Sequence, residues 1–278
     1  MTRSARRTHR IPRAARVAGA GAAALLALSA CSSPSDADTD SDSAGASSSS
    51  SGKLSGQVTV FAAASLKESF TTLGETFEKQ HPGTEVTFNF AGSDTLAASI
   101  TGGAPADVFA SASPKTMATV TDAGVTAGTP ATFVRNQLEI ATLPGNPEHI
   151  SSLKDLTDSG LKVVLCDRTV PCGAAARKAL DAGGLGLTPV SYEQDVKAAL
   201  TKVELKEADA AVVYKTDVKA AGGKVTGVDF PESAKAVNDY PITLLKDAPN
   251  ADAARAFVEL VKSAEGQRVL TGAGFRTP

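Results

Sequence analysis

The sequence predicts an α/β fold, a parallel sheet flanked by helices, and two observations carry that expectation. From residue 57 onward, short apolar runs rich in β-branched residues alternate with stretches whose apolar side chains recur at steps of three and four. The turns that lead from these strands into helices are built of small and hydroxyl residues, as in "AAASL", "FAGSDTL" and "VPCGAAA".

The first strand and helix are legible in "VTVFAAASLKESF", residues 58–70. Val58, Val60 and Phe61 make a buried strand, while Leu66, Phe70, Leu73 and Phe77 mark one face of a helix from Ser65 to about His81. Ser65 stands where an N-cap belongs. There follow a strand "EVTFNF", a short helix from Thr95, a strand "ADVFASA" and a helix after Pro114. A second series starts near "RNQLEIATL" and continues through "LKVVLCD", a helix from about Ala174, another around Val196, and "DAAVVY". The C-terminal part returns to a strand, "YPITLL", and the helices "ADAARAFVELVKSA" and "EGQRVLTGAG".

Ahead of this fold lies an export signal, residues 1–30. Six arginines, Arg3 to Arg16, precede the apolar core "VAGAGAAALLALSA", and "LSAC" (Leu28 to Cys31) ends it with small residues before a cysteine. The last four residues resemble a bacterial lipobox, which implies cleavage before Cys31 and lipid attachment to it, and so an anchor on the outer face of the cell membrane. Residues 31–56 are Ser, Asp and Gly with almost nothing to bury, the composition of a flexible tether.

Charge and cysteine content narrow the function classes. Of 28 Lys and Arg, six are the signal arginines, leaving 22 against 30 Asp and Glu, a net of −8 for residues 31–278. That balance speaks against a nucleic-acid partner. With Cys31 assigned to lipid, an exported chain keeps Cys166 and Cys172, which are expected to pair. Closing so small a ring stabilises by about 2 kcal/mol in the loop-entropy model, so the bridge chiefly sets local shape.

In an open α/β sheet, ligands bind at the carboxyl ends of the strands, where helix N-termini point. Unpaired N–H groups and the helix dipole make those N-termini favourable to negative charge. The three turns therefore suggest an anion site. The alternative for Ser65 and Ser93 is that each simply caps its own helix.

Together, "VTVFAAASL", "FNFAGSDTLAASI", "GAPADVFASAS", "VPCG" and "AAVVYKTD" resemble the molybdate-binding proteins of ABC importers, a class II periplasmic-type binding family, from about Gln57 to the C-terminus. The resemblance implies two α/β domains joined by two crossing strands with an interdomain cleft, domain I spanning 57–136 and 236–278 and domain II spanning 137–235. It also implies that ligand oxygens meet Ser65, Ser93, Cys172, Val196 and Tyr214. The two serines would offer hydroxyl and N–H, Cys172 and Val196 only N–H, and Tyr214 its phenol. No metal-ion ligand, catalytic residue or cofactor is implied. The expected partners are molybdate, tungstate as well, and an ABC permease; the protein is expected to be a monomer.

Molybdate near neutral pH is a fully deprotonated tetrahedral dianion, so its site needs donors and no acceptor. Aimed dipoles in a dehydrated cleft outweigh distant screened charges, so the net of −8 is no obstacle. Asp94, directly after Ser93, departs from the family pattern: facing inward it would accept the proton of hydrogen phosphate, and facing outward it complements the helix dipole, the preferred reading. Another tetrahedral oxyanion, such as sulfate or phosphate, is the alternative ligand. An enzyme finds little support, since there is no G-x-S-x-G elbow and no G-x-x-x-x-G-K-[ST] loop. Outside the signal the histidines are His81, at a helix end, and His149, in a loop.

Overall fold

The computed structural model describes residues 53–278. The export signal, Cys31 and the tether as far as residue 52 lie outside that range. Gly56, expected to close the tether, already belongs to the first strand.

Two five-stranded mixed sheets organise the described residues. The first contains β1 (Gly56–Ala63), β2 (Thr84–Ala91), β3 (Val108–Ala110), β4 (Ala131–Asn136) and the late strand β10 (Asn238–Leu244). Their order is β2-β1-β3-β10-β4, with β10 antiparallel to both neighbours. The second sheet contains β5 (Leu138–Thr142), β6 (Val163–Cys166), β7 (Ser191–Glu193), β8 (Ala210–Tyr214) and β9 (Thr226–Val228), ordered β7-β6-β8-β5-β9. The chain crosses between sheets twice, through Gln137 between β4 and β5 and through the segment between β9 and β10. At this crossing β4 and β10 pair, and Asn136 lies opposite Asn238.

The helices that pack on the first sheet begin with α1 (Lys67–Gln80), α2 (Ser93–Thr101) and α3 (Pro114–Asp122). The second sheet carries α4 (Pro171–Gly183), α5 (Val196–Glu204) and α6 (Lys215–Ala221), and the C-terminal helices are α7 (Ala251–Lys262) and α8 (Ala264–Gly272). The periodicity read in α1 is its buried face: Leu66, Phe70, Leu73 and Phe77 are all fully buried. Phe70 and Phe77 both meet Phe257 of α7 edge-on, with ring centroids 6.0 Å and 5.7 Å apart. Each such ring contributes about 1.5–3 kcal/mol by burial, which clamps α1, and with it the turn that precedes it, against β2 and α7. Gly74 lets α1 approach β2, since a Cβ there would stand 2.7 Å from the Phe88 ring.

Several helix starts differ from expectation. A 3-10 turn, Ala64–Leu66, intervenes before α1, so Ser65 lies inside the turn. The short helix starts at Ser93 instead of Thr95, and α4 starts at Pro171 instead of Ala174, with proline in the first turn, where its missing N–H costs nothing. Strands β4, β7 and β9 and helix α6 add to the elements expected.

Candidate functional site

Ser65, Ser93, Cys172, Val196 and Tyr214 line one small cleft. The first two come from elements of the first sheet and the other three from elements of the second, so the cavity lies between the two layers. The space admits the centre of a water-sized sphere over about 10 Å³, close to the room of a single water. A ligand larger than a single water takes this place only if the walls move apart.

Backbone donors converge here because three helices start here. The first helical bonds are Leu96 N–H to Gly92 O in α2, Ala174 N–H to Val170 O in α4 and Ala199 N–H to Asp195 O in α5. The amides ahead of these have no carbonyl within their own helices. In α5 the Asp195 carboxylate caps the helix, accepting from Lys197 N–H at 2.8 Å and Ala198 N–H at 2.9 Å, which leaves Val196 N–H as the uncapped amide of that turn. In α4 the cavity amide belongs to Cys172, which is bonded to Cys166 with the Cα atoms 5.8 Å apart. The loop closed by this disulfide folds tightly over the helix start. A Cβ on Gly173 would stand 1.9 Å from Asp167 O, so only glycine fits there. Within the loop Asp167 Oδ1 accepts from Thr169 N–H and Oγ1, and those bonds hold the carboxyl below its usual pKa.

The side-chain hydroxyls are buried and wired to the scaffold. Neither serine caps its helix. Ser65 Oγ lies 2.8 Å from Tyr240 Oη, and Ser93 Oγ accepts from Ala112 N–H at 3.0 Å. Tyr214 Oη accepts from Asn238 Nδ2 at 2.8 Å, and Tyr240 Oη accepts from Asn136 Nδ2 at 3.3 Å. Burial, the neighbouring Tyr240 and Asp217 push the Tyr214 pKa well up, so the phenol is a donor throughout the physiological range.

No Lys, Arg or His lines the cavity, and its one carboxylate, Asp195, is engaged as a cap. Asp94 is not among the lining residues; its Oδ2 accepts from Thr169 Oγ1 at 3.4 Å, a contact from α2 to the loop before α4. Outside the lining, the ammonium of Lys197 pairs with Glu68 of α1 at 2.9 Å and with Asp217 of α6 at 3.1 Å. Burial works against that ammonium, but Asp217 and Glu68 together outweigh it and hold its pKa above the ordinary lysine value. Asp217 is fully buried, and burial raises its pKa to about 6 despite Lys197.

His81 ends α1 with its ring on Phe77, and His149 is an exposed loop residue. Sequence reasoning missed Asn136, Asn238, Tyr240 and the cap Asp195. Only Asp195 carries a local signal, an acid immediately before the apolar periodicity of α5.

Two α/β layers joined by crossing strands, with a small donor-lined cavity between them, define a two-lobed solute-binding protein. The family model described as bacterial extracellular solute-binding protein matches residues 58–276. A molybdate-binding protein ModA from Mycobacterium bovis is 48% identical over 221 residues, covering 80% of this chain and 85% of the relative. The Escherichia coli ModA is 31% identical over 230 residues, covering 79% and 89%. Among solved structures, the periplasmic molybdate-binding protein of Azotobacter vinelandii superposes with a TM-score of 0.70 at 21% identity, over 80% of this chain and 99% of its own, a likeness of fold. The chain thus belongs to the bacterial extracellular solute-binding proteins, and within them to the ModA family. That membership makes it a transport component and not an enzyme.

Proposed function

We propose that the protein captures molybdate outside the cytoplasm and hands it to an ABC importer, with tungstate as a second ligand. The carrying observation is the character of the cavity: five positions offer hydroxyls or helix-start amides, no cation neutralises the ligand, and the single carboxylate is turned to its helix. Such a lining favours an anion with no proton of its own. Relatives 48% identical bear the name molybdate-binding protein, which supports this anion over sulfate or phosphate.

In this reading Ser65 and Ser93 bind through hydroxyl and amide, Cys172 and Val196 through amide, and Tyr214 through its phenol. The ligand's oxygens are held and its metal is not coordinated. The lobes are divided at 136/137 and 235/236, a division supported by the sheet membership of β4, β5, β9 and β10. The anchor is a lipid on Cys31, supported by the "LSAC" motif, and the protein works as a monomer.

A ligand that binds only the folded state stabilises it by RT ln(1 + [L]/Kd). Molybdate and tungstate are expected to raise the melting temperature and sulfate to leave it nearly unchanged. Stabilisation by phosphate alone would overturn the reading.

A further inference from the structure

We propose that Asn136 and Asn238, paired across the two crossing strands, are positioning residues that fix the direction of the hydrogen bonds around the cavity, making its hydroxyls donate inward and so excluding oxyanions that carry a proton. This deepens the functional reading above and rests on it.

The inference begins with groups whose hydrogen-bonding sense is not open to choice. A backbone carbonyl only accepts, and a backbone N–H only donates. Ala112 O faces the side-chain amide of Asn238 at 2.8 Å, so the atom turned to it is the NH2 group. The same nitrogen stands 2.8 Å from Tyr214 Oη, which must therefore accept. Its own proton can go to the cavity that Tyr214 lines or to the neighbouring Tyr240 hydroxyl, and a ligand oxygen draws it to the cavity. Asn136 is fixed from the other side. Gln137 N–H donates to its oxygen at 3.0 Å, so its NH2 group is the one that meets Tyr240 Oη at 3.3 Å and Thr216 Oγ1 at 2.8 Å. Tyr240, having accepted there, has its own proton free for Ser65 Oγ at 2.8 Å, and with the bond in that sense Ser65 turns its proton to the cavity.

Ser93 completes the set, because its Oγ accepts from Ala112 N–H at 3.0 Å and its proton too is free to face inward. Ala112 thus orders two of the three hydroxyls, Ser93 through its N–H and Tyr214 through its carbonyl and Asn238. The asparagines face each other where β4 and β10 pair, so the ordering is carried by the strands that join the two lobes. Hydroxyls can ordinarily turn to suit a ligand, donating to one oxygen and accepting from another. Here Ser93 and Tyr214 are committed as acceptors on the protein side, and Ser65 joins them when Tyr240 donates to it, so that each offers a hydrogen on the ligand side. A protonated oxyanion brings a hydrogen that then meets only other hydrogens.

The test compares molybdate with inorganic phosphate at slightly alkaline pH, where both are chiefly dianions. Replacing Asn238 with Asp exchanges the NH2 donor for a carboxylate oxygen of nearly the same shape. The phenol of Tyr214 then donates to that carboxylate and turns a lone pair to the cavity. The new charge repels both dianions alike and cancels in the ratio of their affinities. The wild type is expected to prefer molybdate, and Asn238→Asp to lower the molybdate-to-phosphate ratio by at least about tenfold. Asn238→Leu, which removes the donor without adding charge, is expected to lower the ratio by a smaller factor and provides the reading if the acidic variant does not fold. Wild type that binds molybdate, with an unchanged ratio in the variants, would overturn this inference alone. Wild type that does not bind molybdate, or prefers phosphate, would overturn the ligand reading and this inference with it.

Discussion

Ser93 and Ser65 hold the same kind of position by different means, and truncating each separates ligand contact from scaffold. A hydrogen bond to a charged partner is worth about 1.5–3 kcal/mol, and about 1.4 kcal/mol is a factor of ten in affinity. Ser65→Ala is expected to weaken molybdate binding by one to two orders of magnitude. Ser93→Ala should do the same, and both should lower the melting temperature, since the buried Ala112 N–H and the buried Tyr240 hydroxyl each lose a partner. Titration calorimetry and thermal melts read the two effects independently; unchanged affinity in both variants would show that the serines serve the scaffold alone. Tyr214→Phe leaves the Asn238 amide without its hydroxyl acceptor and is expected to behave like the serine variants in affinity.

At the scale of elements, the site is a set of chain starts fixed by neighbours. The disulfide between Cys166 and Cys172 closes the loop from β6 into α4 and fixes where the Cys172 amide points. Replacing both cysteines with alanine keeps that amide but releases the loop, and the cost of ordering it moves from folding to binding. Affinity is expected to fall by more than the change in stability would suggest, and equal affinity would show that the bridge does not organise the pocket. The three strand-to-helix turns that carry Ser65, Ser93 and Cys172 were legible from their small and hydroxyl residues, whereas Val196 and Tyr214 came only with the family resemblance. The residues that orient the hydroxyls were not legible. Ser65 and Tyr240 are separated by 175 positions, and Asn136 and Tyr240 by 104. Nothing local distinguishes an asparagine that will direct a buried phenol from one that will cap a turn. Helix starts slipped for a related reason: hydroxyl residues at Ser65 and Ser93 read as caps, but tertiary partners claimed them, and the turn or helix ran on through each serine. The three-residue strands β7 and β9 are too short to show a period.

Across the whole molecule, the two lobes meet closely around the pocket. A Cβ on Gly92 at the start of α2 would stand 2.6 Å from Gln194 O just ahead of α5, so Gly92→Ala opposes this approach of the lobes. Binding is expected to weaken by about tenfold or more, about 1.4 kcal/mol or above, while melting of the unliganded protein changes little. Isothermal titration and melts together check this, and wild-type affinity would contradict it. The ion triad of Glu68, Lys197 and Asp217 also spans the lobes. Asp217, with its pKa raised from 3.8 to about 6, holds its proton more tightly folded than unfolded. Its contribution to stability is therefore fully present below the unfolded value and is lost as pH rises through about 6. Subtracting the pH–stability curve of Asp217→Asn from that of wild type should leave a downward slope between about 4 and 6. A flat difference would show that Lys197 keeps the carboxylate charged throughout.

The central claim, a donor-only pocket for a fully deprotonated oxyanion, is tested most directly by titrating the purified protein with molybdate and then with phosphate in the same buffer. The account predicts one molybdate site per chain, and no measurable heat from phosphate at concentrations that saturate molybdate. Phosphate binding as tight as molybdate would contradict it.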